Sequence, residues 1–269
     1  MIKSQVTQAK KSLPYSQAIR KIVQTALLIS LALVARNLSV MVNIMGATGM
    51  RVGFSQVFSR MPALLFGPVF GGIAAGIVDI LAYLIRPEGA FIPLLTITQI
   101  LDGVIVGLVF RAVKNSDGIK LRNTMWILFS SVGLLGLINV IISSHFSGSF
   151  IALALNSLGE KQSFISKGLV LISVIALLLL AINHVVRKKL PDASIHKYYL
   201  KILLSFGMAG IPVTTINTLI LKLFIPTLSN VAFTVFYLPR LTEEILVTVV
   251  LSYISAFLLA VLDRIKKPE

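Results

Sequence analysis

The sequence predicts an all-α integral membrane protein, and three observations support that prediction. Of the 269 residues, 56% are hydrophobic and 13% are charged, and the mean hydropathy of +0.92 is too high for an ordinary soluble domain. The apolar residues form continuous runs of about twenty, the length of a membrane-spanning helix, whereas a membrane barrel would show alternating strands of about ten. Basic residues cluster in short segments between these runs. We therefore predict a single membrane domain over residues 1–269, multi-pass in a cell membrane.

The charge and the motif content restrict the functions open to the chain. A formal net charge of +15 would suggest a nucleic-acid partner for a soluble protein, but the clustering in loops favours a lipid bilayer and no nucleic-acid partner. The sequence has no cysteine, no phosphate-binding loop, no H-E-x-x-H motif and no G-x-S-x-G motif. We accordingly expect no metal, no cofactor and no catalytic residues. If the chain belonged to an ATP-driven transporter, a partner would have to hydrolyse the ATP.

The apolar runs, taken in order, predict eight membrane helices, two of which are short. Their approximate limits are 21–45, 54–66, 68–85, 95–113, 124–145, 165–186, 200–225 and 239–262. As one helix, the run 54–85 would be about 45 Å long, well beyond a hydrocarbon core of about 30 Å. Gly67-Pro68 divides it, because proline suits the first turn of a helix and not its interior.

The charged loops predict how the divided run crosses the membrane. Basic residues fill the N-terminal segment, the loop at 111–122, the loop at 187–201 and the C-terminal tail. If 54–85 crossed once, the two internal clusters would lie opposite the N-terminal one. If it forms two short helices or a re-entrant hairpin, all four clusters share the cytoplasmic side. We therefore predict that both termini are inside and that the loops near 46–53, 86–94, 146–164 and 226–238 face outward.

Seven of the charged residues inside the predicted membrane segments are candidates for a functional role, because charges there usually face a bundle interior or an aqueous cavity. They are Arg36, Arg60, Asp79, Asp102, Arg240, Glu243 and Glu244. The three arginines fall in or near the outer halves of their helices, which would suit an anionic or carboxylate-bearing ligand. In the structural alternative, Arg60 pairs with Asp79, and Arg240 pairs with Glu243 or Glu244 across a turn. The residues alone leave both interpretations open.

Small residues recur four positions apart, a spacing that lets membrane helices approach closely. The glycine pairs Gly67/Gly71, Gly72/Gly76 and Gly103/Gly107 have this spacing and predict internal packing. Ala26 and Ser30 share it in the first span. There the alternatives are internal packing and docking of another membrane protein.

Several ordered motifs carry a resemblance to a known family. Residues 51–110 contain a basic residue before a G-F turn, a short helix ending in L-F-G-P, a glycine-rich helix with an aspartate, and a Pro-x-G-x-F-x-P loop. Further matching stretches are ALLISLALVARNLSV at 26–40, NTLILKL at 217–223 and LPRLTEEIL at 238–246. Together these stretches resemble the substrate-binding S components of energy-coupling factor (ECF) vitamin transporters, most closely the folate type.

The resemblance implies a six-helix protein of the bacterial plasma membrane that is not an enzyme. Such a protein captures a vitamin from outside and passes it inward with a transmembrane coupling subunit and two ATP-binding cassette ATPases. Six of the predicted helices correspond to the family bundle. Residues 118–195 then form an inserted transmembrane hairpin between the fourth and fifth family helices.

The resemblance also implies where a folate-like vitamin would bind. The candidate substrate-binding residues are Arg51, Arg60, Phe91, Gln99, Asn217 and Arg240, while Ala26 and Ser30 would dock the coupling subunit. In these roles arginines meet carboxylates, amides bind a pterin-like ring and Phe91 stacks on it. The TEE after LPR departs from a more neutral or basic family pattern. The alternatives are an S component for a different vitamin, or an accessory membrane protein or intramembrane enzyme whose Arg and Asp residues are structural or catalytic.

Overall fold

The computed structural model describes residues 13–44, 47–87, 89–116, 118–145, 161–189 and 195–266. Its helices are α1 (Leu13–Asn37), α2 (Ser55–Phe66), α3 (Pro68–Ile85), α4 (Pro93–Val113), α5 (Gly118–His145), α6 (Lys161–Lys189), α7 (Ile195–Phe224), the single turn α8 (Pro226–Ser229) and α9 (Phe233–Lys266). Two strands, β1 (Val40–Ile44) and β2 (Ala47–Val52), lie between α1 and α2.

The helical membrane architecture predicted from the sequence is confirmed. Within the described ranges, seven helices are long and apolar enough to cross a membrane, namely all except α2 and α8. The twelve-residue α2 is the eighth predicted helix. Of the seven spans, α7 is the most enclosed by the rest of the protein and α1 the least, so α7 lies centrally and α1 at the periphery.

The all-α prediction omitted the β-hairpin. Its strands are antiparallel, with Val40 opposite Val52 and Met41 opposite Arg51, and the register is irregular between Val42 and Ile44. The first span was expected to reach residue 45, but α1 ends at Asn37. The apolar and β-branched residues after position 39 suit a strand as well as a helix, so hydropathy alone could not separate the two.

The break at Gly67-Pro68 is confirmed, and it reverses the chain between α2 and α3. Gly67 has φ +96° and ψ −174°, a conformation that favours glycine, and Pro68 opens α3. The predicted glycine packing is also present. A Cβ added at Gly71 would lie 2.4 Å from Ala63 Cβ and 2.6 Å from the Gly103 carbonyl oxygen. Glycine therefore lets α2, α3 and α4 approach backbone to backbone.

Helices α4, α7 and α9 form the centre of the bundle, with α7 antiparallel to both neighbours. Thr98, near the start of α4, contacts Asn217, near the end of α7. Lys114, just after α4, contacts Lys201, near the start of α7. Tyr198 of α7 bonds Asp263 near the end of α9. The basic segments around 114, 201 and 264 thus lie at one end of the bundle, as the predicted topology requires. We call the opposite end the outer end.

Helices α5 and α6 pack antiparallel on each other, and α6 packs on α9. Ser173 donates to the Phe129 carbonyl at 2.8 Å, and a Cβ on Gly136 would lie 2.9 Å from the Val170 backbone nitrogen. Thr242 of α9 lies against Gly168 of α6. Residues 146–160, part of the predicted outer loop, are outside the described residues.

Candidate functional site

A buried ionic network joins α2, α4 and α9 near the middle of the bundle. Arg60 binds Asp102 through two hydrogen bonds, Nε to Oδ2 and Nη2 to Oδ1, each 2.8 Å long. The same Nη2 lies 3.6 Å from Glu244 Oε1, and the guanidinium lies 4.8 Å from the centre of the Phe206 ring. All three charged residues are at most 6% exposed. The open alternative that paired Arg60 with Asp79 is therefore wrong, because Asp102 takes both of these bonds.

Glycine on α7 makes room for the Glu244 carboxylate. A Cβ added at Gly210 would fall 2.0 Å from Glu244 Oε1, so any side chain there would displace the carboxylate. Thr214 on α7 donates to Glu244 Oε2 at 3.3 Å, and Thr248 donates to Oε1 at 3.4 Å. Helix α7 thus positions the Glu244 carboxylate in two ways: Gly210 leaves space for it, and the Thr214 hydroxyl donates a hydrogen bond to it.

One helical turn outward from this network, each of four helices carries a polar side chain. They are Gln56 on α2, Gln99 on α4, Asn217 on α7 and Arg240 on α9, all partly buried. Residues three or four apart lie on the same side of a helix, so these four follow the direction of Arg60, Asp102, Thr214 and Glu244. We call these four residues, with Glu243, the outer polar layer.

Several atoms of this layer are buried without a hydrogen-bond partner. They are Gln56 Oε1, Arg240 Nε and Glu243 Oε1. Arg240 makes a cation–π contact, with its guanidinium 5.2 Å from the centre of the Phe236 ring. Buried polar atoms in proteins are nearly always hydrogen-bonded, and each unmet one costs about 1–3 kcal/mol. The layer is therefore suited to bind a polar group.

Side-chain hydrogen bonds also join α7 to α4 and to α9 near the outer polar layer. Thr98 Oγ1 lies 2.5 Å from Asn217 Oδ1, which joins α4 to α7. Thr215 and Tyr237 hydroxyls are 2.9 Å apart and join α7 to α9. The Tyr237 ring stacks on Phe233, with centroids 5.0 Å apart. These contacts leave polar and aromatic groups at the outer ends of the three central helices.

A second polar group lies at the outer ends of α1, α3 and α4. Asp79 accepts a 2.7 Å hydrogen bond from Thr96, and its other oxygen lies 3.7 Å from Arg36 Nη1. This contact ties the peripheral α1 to α3. Phe91, in the loop between α3 and α4, is 44% exposed, and its ring centroid is 5.0 Å from that of Tyr83.

The structure brings together three of the predicted site residues and separates the others. Gln99, Asn217 and Arg240 lie at one level on adjacent helices. Arg60 lies one turn deeper, with its charge engaged by Asp102 and its Nη1 buried without a partner. Phe91 lies in the α3–α4 loop, and Arg51 lies in β2, opposite Met41.

The predicted docking residues Ala26 and Ser30 are exposed on one face of α1. A neighbouring face of the helix buries Thr25, Ile29 and Ala32 against the bundle, and Ser55 of α2 donates to the Ala32 carbonyl at 2.8 Å. Among the described residues, the small-residue spacing at 26 and 30 therefore does not serve packing within this chain.

The sequence interpretation missed several residues of the site. Asp102 and Glu244 were recognised as membrane charges but not as partners of Arg60, and Gly210, Thr98 and Tyr237 were not singled out. A charged residue in a membrane helix signals a partner but does not say which helix provides it. Within the described ranges, no group of three or more His, Cys, Asp or Glu side chains could hold a metal ion.

Comparison with known proteins confirms the resemblance seen in the sequence. Residues 16–142, slightly less than half of the chain, match the family model described as ECF-type riboflavin transporter, S component. The match covers α1 to α4 and most of α5. Both the family and the relative described next are transport proteins and not enzymes.

A curated relative of the chain is named for a different vitamin from the family model. The chain is 35% identical to the folate transporter FolT of Clostridium novyi (strain NT) over 66 residues, which make up 24% of this chain and 38% of the relative. The matched part thus spans well under half of that protein. No solved structure gives a significant match.

Proposed function

We propose that the chain is the substrate-capture subunit of an energy-coupling factor transporter that imports a vitamin across a bacterial plasma membrane. The observation that carries the proposal is the outer polar layer. It combines buried, unpartnered donors and acceptors with a position above a rigid ionic network, in a chain that matches an S-component family. A preformed site with few, fixed polar groups is typical of small-molecule binding.

The ligand is folate or a related carboxylate-bearing compound. Gln99 and Asn217 donate to and accept from its heteroaromatic ring, Arg240 donates to an oxygen atom, and Phe91 closes over the ring from the α3–α4 loop. Arg51, in β2, adds a further positive charge to the residues that recognise the ligand. Arg60 supports the site from below, because its hydrogen bonds to Asp102 hold α2 against α4.

Release of the vitamin inward depends on partners. Ala26 and Ser30 are exposed small residues on the least enclosed helix, where a transmembrane coupling subunit docks, and two ATP-binding cassette ATPases drive the cycle. Bulky residues at both positions are expected to spare vitamin binding and block transport. Lost binding with intact complex assembly would contradict this assignment.

Riboflavin is the second candidate ligand, because the matching family model is that of riboflavin S components. The full-length protein purified in detergent decides between the two. Mass spectrometry of the extracted ligand and calorimetric titration with folic acid and riboflavin give the identity and the Kd. Absence of any bound or titratable vitamin would contradict the proposed function.

The Arg240→Ala variant tests the site. Binding should weaken about tenfold or more, because Arg240 loses a charge-assisted hydrogen bond to the ligand. Arg264→Ala is the matched control, since Arg264 is exposed at the inner end of the same helix. Equal affinities for both variants, with unchanged thermal stability, would remove Arg240 from the site.

A further inference from the structure

The charges around the outer polar layer do not favour a carboxylate deep in the site. Arg60 and Arg240 provide two positive charges, and Asp102, Glu243 and Glu244 provide three negative ones. The formal sum is negative, and the Arg60 charge is already engaged by Asp102. A ligand group that reaches this depth should therefore carry hydrogen-bond donors, while carboxylates stay toward the outer surface.

Arg240 and Glu243 form a donor and an acceptor on a single turn of α9. The Nε of Arg240 and the Oε1 of Glu243 are both buried, and neither has a hydrogen-bond partner. Residues three apart on a helix point to the same side, so one planar ring can meet both. Thr242, between them in sequence, points the other way and packs on Gly168 of α6. The side of α9 that carries Arg240 and Glu243 therefore does not face α6.

We propose that Glu243 determines substrate specificity by accepting hydrogen bonds from the amino and ring N–H groups of a 2-aminopyrimidine-type ring. Arg240 Nε donates to the carbonyl oxygen next to those groups. This proposal rests on the proposed function, and it names the part of the vitamin that Glu243 recognises.

The chemistry separates the two candidate vitamins. A pterin edge presents two adjacent donors followed by a carbonyl, which complements one carboxylate and one Arg N–H. A flavin edge presents one N–H between two carbonyl oxygens. A carboxylate facing that edge would receive only one hydrogen bond, because its second oxygen would face a carbonyl oxygen, which is not a donor. Glu243 therefore favours the pterin ring over the flavin ring.

The test compares ligands that differ at one group. Folic acid and its analogue with oxygen in place of the 2-amino group are titrated, with riboflavin, into the full-length protein in detergent. The native protein should bind folic acid about tenfold or more tightly than the 2-oxo analogue, and Glu243→Gln should remove most of this preference. Asp263→Asn is the matched control, because Asp263 lies at the inner end of α9 and contacts Tyr198.

The outcomes separate this inference from the proposed function. Tight folic acid binding without discrimination against the 2-oxo analogue, or a preference unchanged in Glu243→Gln, overturns the role of Glu243 and leaves the vitamin-binding function intact. Preferential binding of riboflavin by the native protein does the same. Binding of none of the three ligands overturns both. Thermal unfolding of each variant shows whether a lost affinity reflects loss of fold.

Discussion

The three helices of the ionic network and the α5–α6 pair differ in the residues that they place inside the membrane. Within the membrane, α2, α4 and α9 carry Arg60, Asp102 and Glu244, whereas residues 123–142 of α5 and 168–186 of α6 contain no Asp, Glu, Lys or Arg. The α5–α6 pair is held by glycine contacts and a hydroxyl bond from Ser173. Charge in a bilayer is costly, so its absence from these stretches suits a pair that packs through apolar contacts, whereas the buried charges of α2, α4 and α9 lie directly beneath the proposed binding site.

The largest expected effect comes from removing a charge from the ionic network. Asp102→Ala removes both 2.8 Å hydrogen bonds of the buried Arg60 guanidinium and leaves it only the 3.6 Å contact with Glu244, which should lower the free energy of unfolding by about 3–5 kcal/mol. Thermal unfolding in detergent measures the loss. Replacing Arg60 by Met, Asp102 by Leu and Glu244 by Gln together should recover much of the stability. A stable Asp102→Ala protein would show that the network does not hold these helices together.

An intermediate effect is expected from a single methyl group on α7. In Gly210→Ala the new Cβ would meet Glu244 Oε1 at 2.0 Å, so the carboxylate must move, at a cost of about 1–3 kcal/mol. Vitamin affinity should fall with stability, because Glu244 and Arg240 share one side of α9. Gly207→Ala, on the same helix, meets nothing within 4 Å and is the control. Equal behaviour of the two variants would contradict the placement of Glu244 against α7.

The smallest effect is expected in the α5–α6 pair. Ser173→Ala removes the hydrogen bond to the Phe129 carbonyl, and such bonds in membrane proteins contribute about 0.6 kcal/mol on average. The unfolding temperature should drop slightly, and the Kd for the vitamin should stay unchanged. A clear loss of affinity would mean that the α5–α6 pair contributes to the binding site.

Local features and contacts between distant helices differ in how far the sequence predicts them. The spans, the break at Gly67-Pro68 and the glycine packing of α3 on α4 followed from hydropathy, proline chemistry and small-residue spacing, which are local properties. The pairing of Arg60 with Asp102 instead of Asp79 depends on which helices face each other, and no local pattern contains that information. Gly210 is recognised only when the Glu244 carboxylate is seen against it.

The β-hairpin is a second feature that local sequence patterns could not predict. Hydropathy extended the first span to residue 45, because the mostly apolar residues at 40–44 would fit a helix as well as the strand that they form. The exposed positions of Ala26 and Ser30 likewise required the structure, since small-residue spacing serves internal packing and external docking alike.

The most direct test of the central claim is hydrogen–deuterium exchange of the full-length protein with and without its vitamin. The claim is that the ligand binds at the outer ends of α4, α7 and α9 and not at the α5–α6 pair. We expect the vitamin to slow exchange in residues 89–98 and 225–240 and to leave the described residues of α5 and α6 unchanged. Protection confined to α5 and α6, or no protection at the outer ends of the central helices under saturating ligand, would contradict the claim.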